Sequence, residues 1–248
     1  MKTTLTALIV ASSLGALPAL AAEAEKKLVI AQADAEKATG EAALTYRPPL
    51  RGAPATRVGG GTRSLGPRPV TLHVLAPSET GFTTRERPTV YWYISETLTN
   101  PVELTITISE PLKHATPPAL EITLQPPIAK GVHALRLGDH GVTLKPGVEY
   151  HWFVAVVGNP AQRSADVVAG GAIQRVANAD AVQRRLDQVP QQRWAAVYAE
   201  SGIWYDAIEE LSRQISANPG DARLRQQRAG LLEQVGLNEA AAFDRGAR

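Results

Sequence analysis

Short runs of alternating apolar and polar positions fill the middle of the chain, and a three-to-four-residue spacing replaces them after about residue 178. The longest run, Val148 to Val157, follows the turn Lys145-Pro146-Gly147 and is almost wholly apolar, β-branched or aromatic. No proline bars it from a sheet interior. Alternation puts Tyr150, Trp152, Val154 and Val156 on one face, with His151, Phe153, Ala155 and Val157 on the other. The same pattern predicts strands at Val70–Leu75, Thr89–Ile94, Val102–Ser109, Leu120–Leu124, Val132–Leu137 and Ala165–Val176. Within Thr89–Ile94, Val90, Trp92 and Ile94 share the face opposite Thr89, Tyr91 and Tyr93, which makes Trp92 the expected core partner of Trp152. Some seven strands with Pro/Gly/Asn/Thr-rich turns between them predict an antiparallel β-sandwich over residues 68–177, with a small barrel as the alternative.

After Asn178 proline, lysine and β-branched residues become scarce, and Ala, Arg, Gln, Glu and Leu dominate. The spacing predicts helices from Asn178 or Asp180 to about Gln188, then Arg193–Glu200, Trp204–Ala217 and Ala222–Gln234. Gly202 and the break Asn218-Pro219-Gly220-Asp221 separate the later ones. Residues 178–248 therefore form a helical tail. The chain reads as α+β with its two parts segregated.

Composition changes the picture mainly at the N-terminus. Residues 1–22 have one charge, Lys2, a short apolar region from Leu5 to Leu17, and the small-x-small site Ala19-Leu20-Ala21. That is the pattern of a cleaved secretory leader, since a span needs about 20 predominantly apolar residues and two serines, a glycine and a proline interrupt this run. Residues 23–67 read as a flexible basic Pro/Gly-rich linker. From Tyr46 to Pro69 there are five arginines and no acid, around Arg57-Val58-Gly59-Gly60-Gly61-Thr62-Arg63. A basic arm for an anionic partner is one reading of this stretch, and a docked linker is the preferred one. With no cysteine there is no disulfide and no lipid-bearing N-terminal Cys. A net charge of +2 gives no argument for nucleic acid or a membrane surface.

The remaining chemistry carries no familiar catalytic pattern. Neither His-Glu-x-x-His nor Gly-x-Ser-x-Gly occurs, and the glycine string lacks the Gly-Lys-Ser/Thr of a phosphate loop. His73, His114, His133, His140 and His151 never stand at i,i+4. His133, Asp139 and His140 are the one conceivable metal set, and solvated or hydrogen-bonded histidines are the preferred reading. Ser164 and Asp166 lie close in sequence without a positioned histidine base, so Arg163, Ser164 and Asp166 read as a tight hairpin. Trp204, Tyr205 and Asp206, beside Gly202, together with Arg163 and Asp166, make a candidate interaction surface. Within it Trp204 is expected to pack on the sandwich, leaving Tyr205 or Asp206 partly exposed. No catalytic, cofactor or metal residue is assigned.

Three resemblances add to this. Leu144-x-Pro146-Gly147-x-x-Tyr150 before a strand resembles the tyrosine corner of fibronectin type III and other immunoglobulin-like sandwiches, which implies a buried Tyr150 bonded to backbone near Leu144. Tyr198, Gly202, Ala207 and Pro219 sit at the offsets of a tetratricopeptide repeat. A shift of about 34 residues carries the first three onto Leu232, Gly236 and Ala241. The tail departs from the repeat at Gln214 and Trp194, and it is expected to lean on the sandwich. Finally, Arg57–Arg63, Arg163-Ser164-Ala165-Asp166 and Tyr198–Ala207 in that order resemble the bacterial family called domain of unknown function 928, over about Arg57 to Leu237. The family has no established activity to carry over. Many members carry one cysteine just after the glycine string and another where Gly158 stands, which implies that the segment Gly59–Leu65 lies beside the end of the central strand.

These readings favour an exported, soluble, non-enzymatic interaction or scaffold module, periplasmic or secreted, without a membrane span after leader cleavage. Its expected partner is another extracytoplasmic protein and not a nucleic acid. The alternatives are a hydrolase with its site where sandwich and helices meet, or a carbohydrate-binding sandwich using aromatic platforms.

Overall fold

The turn at Pro146-Gly147 forms as its residues dictate: Gly147 is left-handed (φ 75°), and the Val148 N–H donates to the Lys145 carbonyl at 3.3 Å. We describe the protein from a computed structural model, which covers residues 43–49, 57–58, 62–64, 69–99, 103–109, 117–158, 161, 164 and 166–247. The leader of residues 1–22 and the residues Gly59–Gly61, Leu65, His114 and Arg163 lie outside the described residues.

Among the described residues nine strands make two sheets. The strands are β1 (Thr62–Ser64), β2 (Pro69–Val74), β3 (Gly81–Thr83), β4 (Thr89–Ile94), β5 (Glu103–Ser109), β6 (Leu120–Leu124), β7 (Gly131–Arg136), β8 (Glu149–Val157) and β9 (Val167–Arg175). One sheet has the order β1-β2-β4-β7 and the other β3-β9-β8-β5-β6. Strand β8 sits at the centre of the five-stranded sheet, with Trp152, Val154 and Val156 fully buried on the face predicted to be the core face. Trp92 joins the same buried cluster from β4, with His133 stacked on it at 5.6 Å between ring centroids.

Two strands were not expected, β1 and β3, both of three residues and too short for a visible alternation. Strand β3 corrects the expectation of a wholly antiparallel fold, because it runs parallel to β9 with Gly81 opposite Ile173. Its direction follows from the loop after β2, which carries the chain across to the other sheet before β4 returns to pair with β2.

Among the described residues five α-helices follow: α1 (Asp180–Leu186), α2 (Trp194–Glu200), α3 (Trp204–Ala217), α4 (Ala222–Gln234) and α5 (Asn238–Gly246). The last four form two hairpins, α2–α3 and α4–α5, that end their first helices identically. Gly202 and Gly236 are both left-handed (φ 76° and 75°), and the Ile203 and Leu237 amides reach back to the Tyr198 and Leu232 carbonyls at 2.9 Å. This is the glycine-terminated helix end, with its apolar residue (Ile203, Leu237) buried beyond the cap. Buried Arg228 of α4 ties the second hairpin to the first. Its Nε and Nη2 donate to Asp244 of α5 at 2.7 and 2.6 Å, and Nη1 donates to Ser212 of α3.

Helices lie over the outer face of the four-stranded sheet, which explains why β4 is buried on both faces despite its alternation. Tyr93 meets Phe243 of α5 at 5.4 Å, and the Thr89 amide donates to Glu209 of α3. Burial pushes the Tyr91 hydroxyl up to about 12. Sheets and helices together make one compact unit, Ala43–Arg248, so the change at residue 178 is one of secondary structure rather than a gap in packing.

The stretch expected as a flexible linker is seated where it is described. Leu44 and Tyr46 are buried, and Val58 exchanges both main-chain bonds with Gly170 of β9. Arg57 is not a solvated charge: its Nη1 donates to the Ala76 carbonyl at 3.1 Å and to the Val235 carbonyl at 2.8 Å. Among the described residues no helix is long and apolar enough to cross a membrane.

Tyr150 is buried, and its hydroxyl accepts from the Lys145 amide at 3.3 Å, while Arg175 donates to the Leu144 carbonyl at 3.2 Å. Tyr150→Phe is expected to cost about 1 kcal/mol in urea unfolding, since it strands one long hydrogen bond in a corner that Arg175 also holds. A loss below about 0.3 kcal/mol shows that the hydroxyl does not hold the corner.

Candidate functional site

Helix α3 begins where both sheets and the N-terminal segment converge. Its first three residues, Trp204, Tyr205 and Asp206, are fully buried. Trp204 packs on the sheets as expected, whereas the expected partial exposure of Tyr205 or Asp206, and with it the interaction surface, is corrected, and the reason is that each polar tip finds a partner inside. Trp204 Nε1 donates to the Leu75 carbonyl at 2.8 Å. The Tyr205 hydroxyl donates to the Ala172 carbonyl at 2.9 Å and accepts from Trp152 Nε1 at 2.9 Å. Asp206 accepts from the Thr83 hydroxyl and from both the hydroxyl and the amide of Thr84, the last at 3.0 Å. Gly81 lets the Tyr205 ring approach, since a Cβ there would stand 2.6 Å from it.

The carboxylates of α3 respond to this setting. Burial pushes the Asp206 carboxyl up, against the bonds from Thr83 and Thr84 and the charge of Arg85. Burial also raises Glu209, which is opposed by Arg85 at 3.5 Å and by the Thr89 amide. These groups are held by neighbours on β3, on β4 and in the turn between them, which makes this a structural joint.

Of the other two candidate surface residues, Asp166 is not brought to the joint. Asp166 precedes β9 at the end where Val167 faces Val156, whereas Ala172 and Gln174 mark the opposite end of that ladder. Arg163 is outside the described residues. His133 Nε2 donates to the Ala129 carbonyl at 2.6 Å, and His140 is exposed in a single 3-10 turn (Leu137–His140). Among the described residues no three histidine or carboxylate groups are placed to hold a metal ion.

A cleft of about 170 Å³ opens beside the joint, lined by Tyr46, Pro48, Pro49, Glu79, Thr80, Phe82, Glu149 and Gln174. Two carboxylates and an apolar wall of Phe82 and the two prolines give it its character. The Thr80 hydroxyl donates to Glu149 Oε2 at 2.6 Å, and His151 Nε2 lies 2.9 Å from Glu149 Oε1. The carboxylate thus stands between hydroxyl and imidazole, so the histidine is not placed to take a proton from Thr80. Tyr46 forms the inner wall, edge-on to Trp204 with centroids 4.9 Å apart, and burial pushes its hydroxyl well above its ordinary value.

The sequence reading passed over this group. One signal was present: Glu149, His151 and Phe153 share a strand face by alternation, which places a carboxylate two residues from a histidine. The others come from the segment 43–49, the loop before β3, β3 itself (Phe82) and β9 (Gln174), which no periodicity links to β8.

The family profile described as Domain of Unknown Function (DUF928) matches residues 58–243. No curated protein matches the chain. Among solved structures, a multi-domain immunophilin from Arabidopsis thaliana aligns at 11% identity, covering 80% of this chain and 98% of that one, with a TM-score of 0.16. At that score the likeness carries no argument about fold or function.

Proposed function

The chain belongs to the domain of unknown function 928 family, and from that premise we propose that it is an exported, non-enzymatic interaction module that docks another extracytoplasmic protein. The cleft carries this reading. Exposed Glu79 and half-buried Glu149 stand over Phe82, Pro48 and Pro49, which suits a cationic side chain with an apolar stem, a lysine or arginine of a partner. The order Thr80–Glu149–His151 favours binding over acyl transfer, because it holds the imidazole away from the hydroxyl. Export rests on the leader pattern of residues 1–22.

The finer fold reading belongs to the same proposal. The Tyr150–Lys145 bond and the facing of Trp92 and Trp152 into one core support an immunoglobulin-like sandwich. The matched glycine ends at Gly202 and Gly236, with Ala207 and Ala241 both fully buried, support tetratricopeptide-like hairpins. In this reading the hairpins dock on a sheet and present the cleft at the joint.

Affinity capture from the exported fraction of the host tests the function. The wild-type chain is expected to retain a defined partner at low salt and to lose it as salt screens the two carboxylates. Glu79→Lys and Phe82→Ala are each expected to weaken that capture at least about tenfold. A partner held equally by the wild type and both variants removes the cleft from the function.

A further inference from the structure

The segment Ala43–Pro49 lies extended across the end of the first helical hairpin, and its contacts are those of a bound peptide. Side chains alternate, with Leu44 and Tyr46 buried and Thr45 and Arg47 exposed. Gln234, the last residue of α4, uses one side-chain amide twice: its Oε1 accepts from the Tyr46 amide at 2.9 Å and its Nε2 donates to the Leu44 carbonyl at 2.7 Å. One planar amide thereby reads the main chain of an extended segment as a neighbouring strand would. The Arg47 amide donates to the Ala199 carbonyl at the end of α2, at 3.1 Å.

Gly202 completes the groove. Beyond supplying the left-handed turn, it lets the chain come close, because a Cβ there would lie 2.8 Å from the Arg47 carbonyl oxygen and 3.3 Å from Pro49. The equivalent Gly236 has no such approach, its hypothetical Cβ meeting only the Arg57 guanidinium at 3.8 Å. The two hairpin ends share their backbone geometry and differ in what covers them.

We propose that the groove between Ala199, Gly202, Trp204 and Gln234 is a binding site for extended peptides that carry an aliphatic residue, an aromatic residue two positions on and proline two positions after that, and that residues Ala43–Pro49 are its intramolecular occupant. Main-chain bonds supply sequence-tolerant affinity, and the Leu44 and Tyr46 positions supply selectivity. Two side-chain anchors and three main-chain bonds hold the segment, far fewer contacts than hold β8, so it opens locally while the sheets stay folded. A tethered occupant competes at an effective concentration in the millimolar range, so a partner segment displaces it only with help from outside the groove. Glu79 and Glu149, the carboxylates of the neighbouring cleft that lie outside the segment, supply that help.

The inference rests on the interaction-module reading in requiring a partner segment, and the two fail separately. The probe is a fluorescent peptide with the sequence of residues 43–49, added to the full chain. The wild type is expected to bind it weakly and Tyr46→Ala at least about tenfold more tightly, because its own occupant is loosened. Adding Gln234→Ala to that variant is expected to remove about tenfold again, through two main-chain bonds. A folded Tyr46→Ala chain that binds no more probe than the wild type overturns the proposal, whatever the cleft captures. Hydrogen exchange on the wild type gives a second reading that needs no substitution. The Tyr46 and Arg47 amides are expected to exchange at least about tenfold faster than those of β8. If both exchange only through global unfolding, the segment is core and not an occupant.

Discussion

Asp206→Ala is expected to cost about 3–5 kcal/mol in urea unfolding and to loosen α3 from the sheets, because it strands the fully buried Thr83 hydroxyl together with the amide and hydroxyl of half-buried Thr84. Asp206→Asn keeps the shape and one acceptor but turns an N–H towards the Thr84 amide, so a smaller loss of about 1–2 kcal/mol is expected. A double-mutant cycle with Thr83→Val separates the shared bond from the rest. If Asp206→Ala costs less than about 1 kcal/mol, the carboxylate is not what holds the helix start.

The same residue gives a pH signature whose sign is fixed by its burial. Asp206 is raised from the ordinary carboxylate value, so between that value and its folded one the native state binds more protons than the unfolded state. Stability from this group is therefore present at low pH and is lost as pH rises through the folded value. Glu209 acts in the same direction. Asp221 and Glu233 are lowered by their bonds to Arg223 and Arg245, so they act in the opposite one. The test is thus a difference: the stability gap between wild type and Asp206→Asn should narrow as pH climbs from the ordinary carboxylate range. A gap that widens shows that the ionised form is the one the joint prefers.

What the sequence made legible follows from how each signal arises. Strands β4, β6 and β8 and helices α2, α3 and α4 were readable within a residue or two because alternation and helical spacing are local. Strands β1 and β3 were not, since three residues carry no period, and the partner of β3 is set by Arg175 far along the chain while β1 pairs with the next strand at Thr71. In Trp204-Tyr205-Asp206 the packing of Trp204 was legible, but Tyr205 or Asp206 read as partly exposed because a hydroxyl and an acid at a helix start are polar by composition. Their burial is decided by Leu75, Ala172 and Thr84, three acceptors or donors on other elements. Arg57 likewise reads as one of five charges in a basic linker, and its two partners, the Ala76 and Val235 carbonyls, lie on other elements. The cleft and the groove both depend on residues 43–49, a segment with too little apolar area to fold by itself. Composition there says only that the segment needs a host. The structure supplies one at Gly202 and Gln234.

Expressed alone, residues 178–248 are expected not to fold with a sharp transition of their own, and the chain ending at Val176 is expected to lose the transition of the parent. The argument is the character of the interface. Trp204 and Tyr205 are fully buried against the sheets and donate to Leu75 and Ala172, so the isolated tail would expose two large aromatic faces and leave their polar tips unpaired. Burying such a side chain contributes about 1.5–3 kcal/mol each, against the 5–15 kcal/mol that holds an ordinary domain together. The sheets lose as much: Trp152 Nε1, the Thr84 amide and the Thr89 amide are left without the tail's acceptors, and Tyr93 loses Phe243. Two hairpins also fall short of the three repeats that helical arrays normally need for independent stability. Circular dichroism melts of both fragments and of their mixture decide it. Recovery of one cooperative transition on mixing is the strongest form of the expected result. Two fragments that each melt sharply at the parent's temperature would instead make the tail a domain of its own, with the buried joint contributing little to either half.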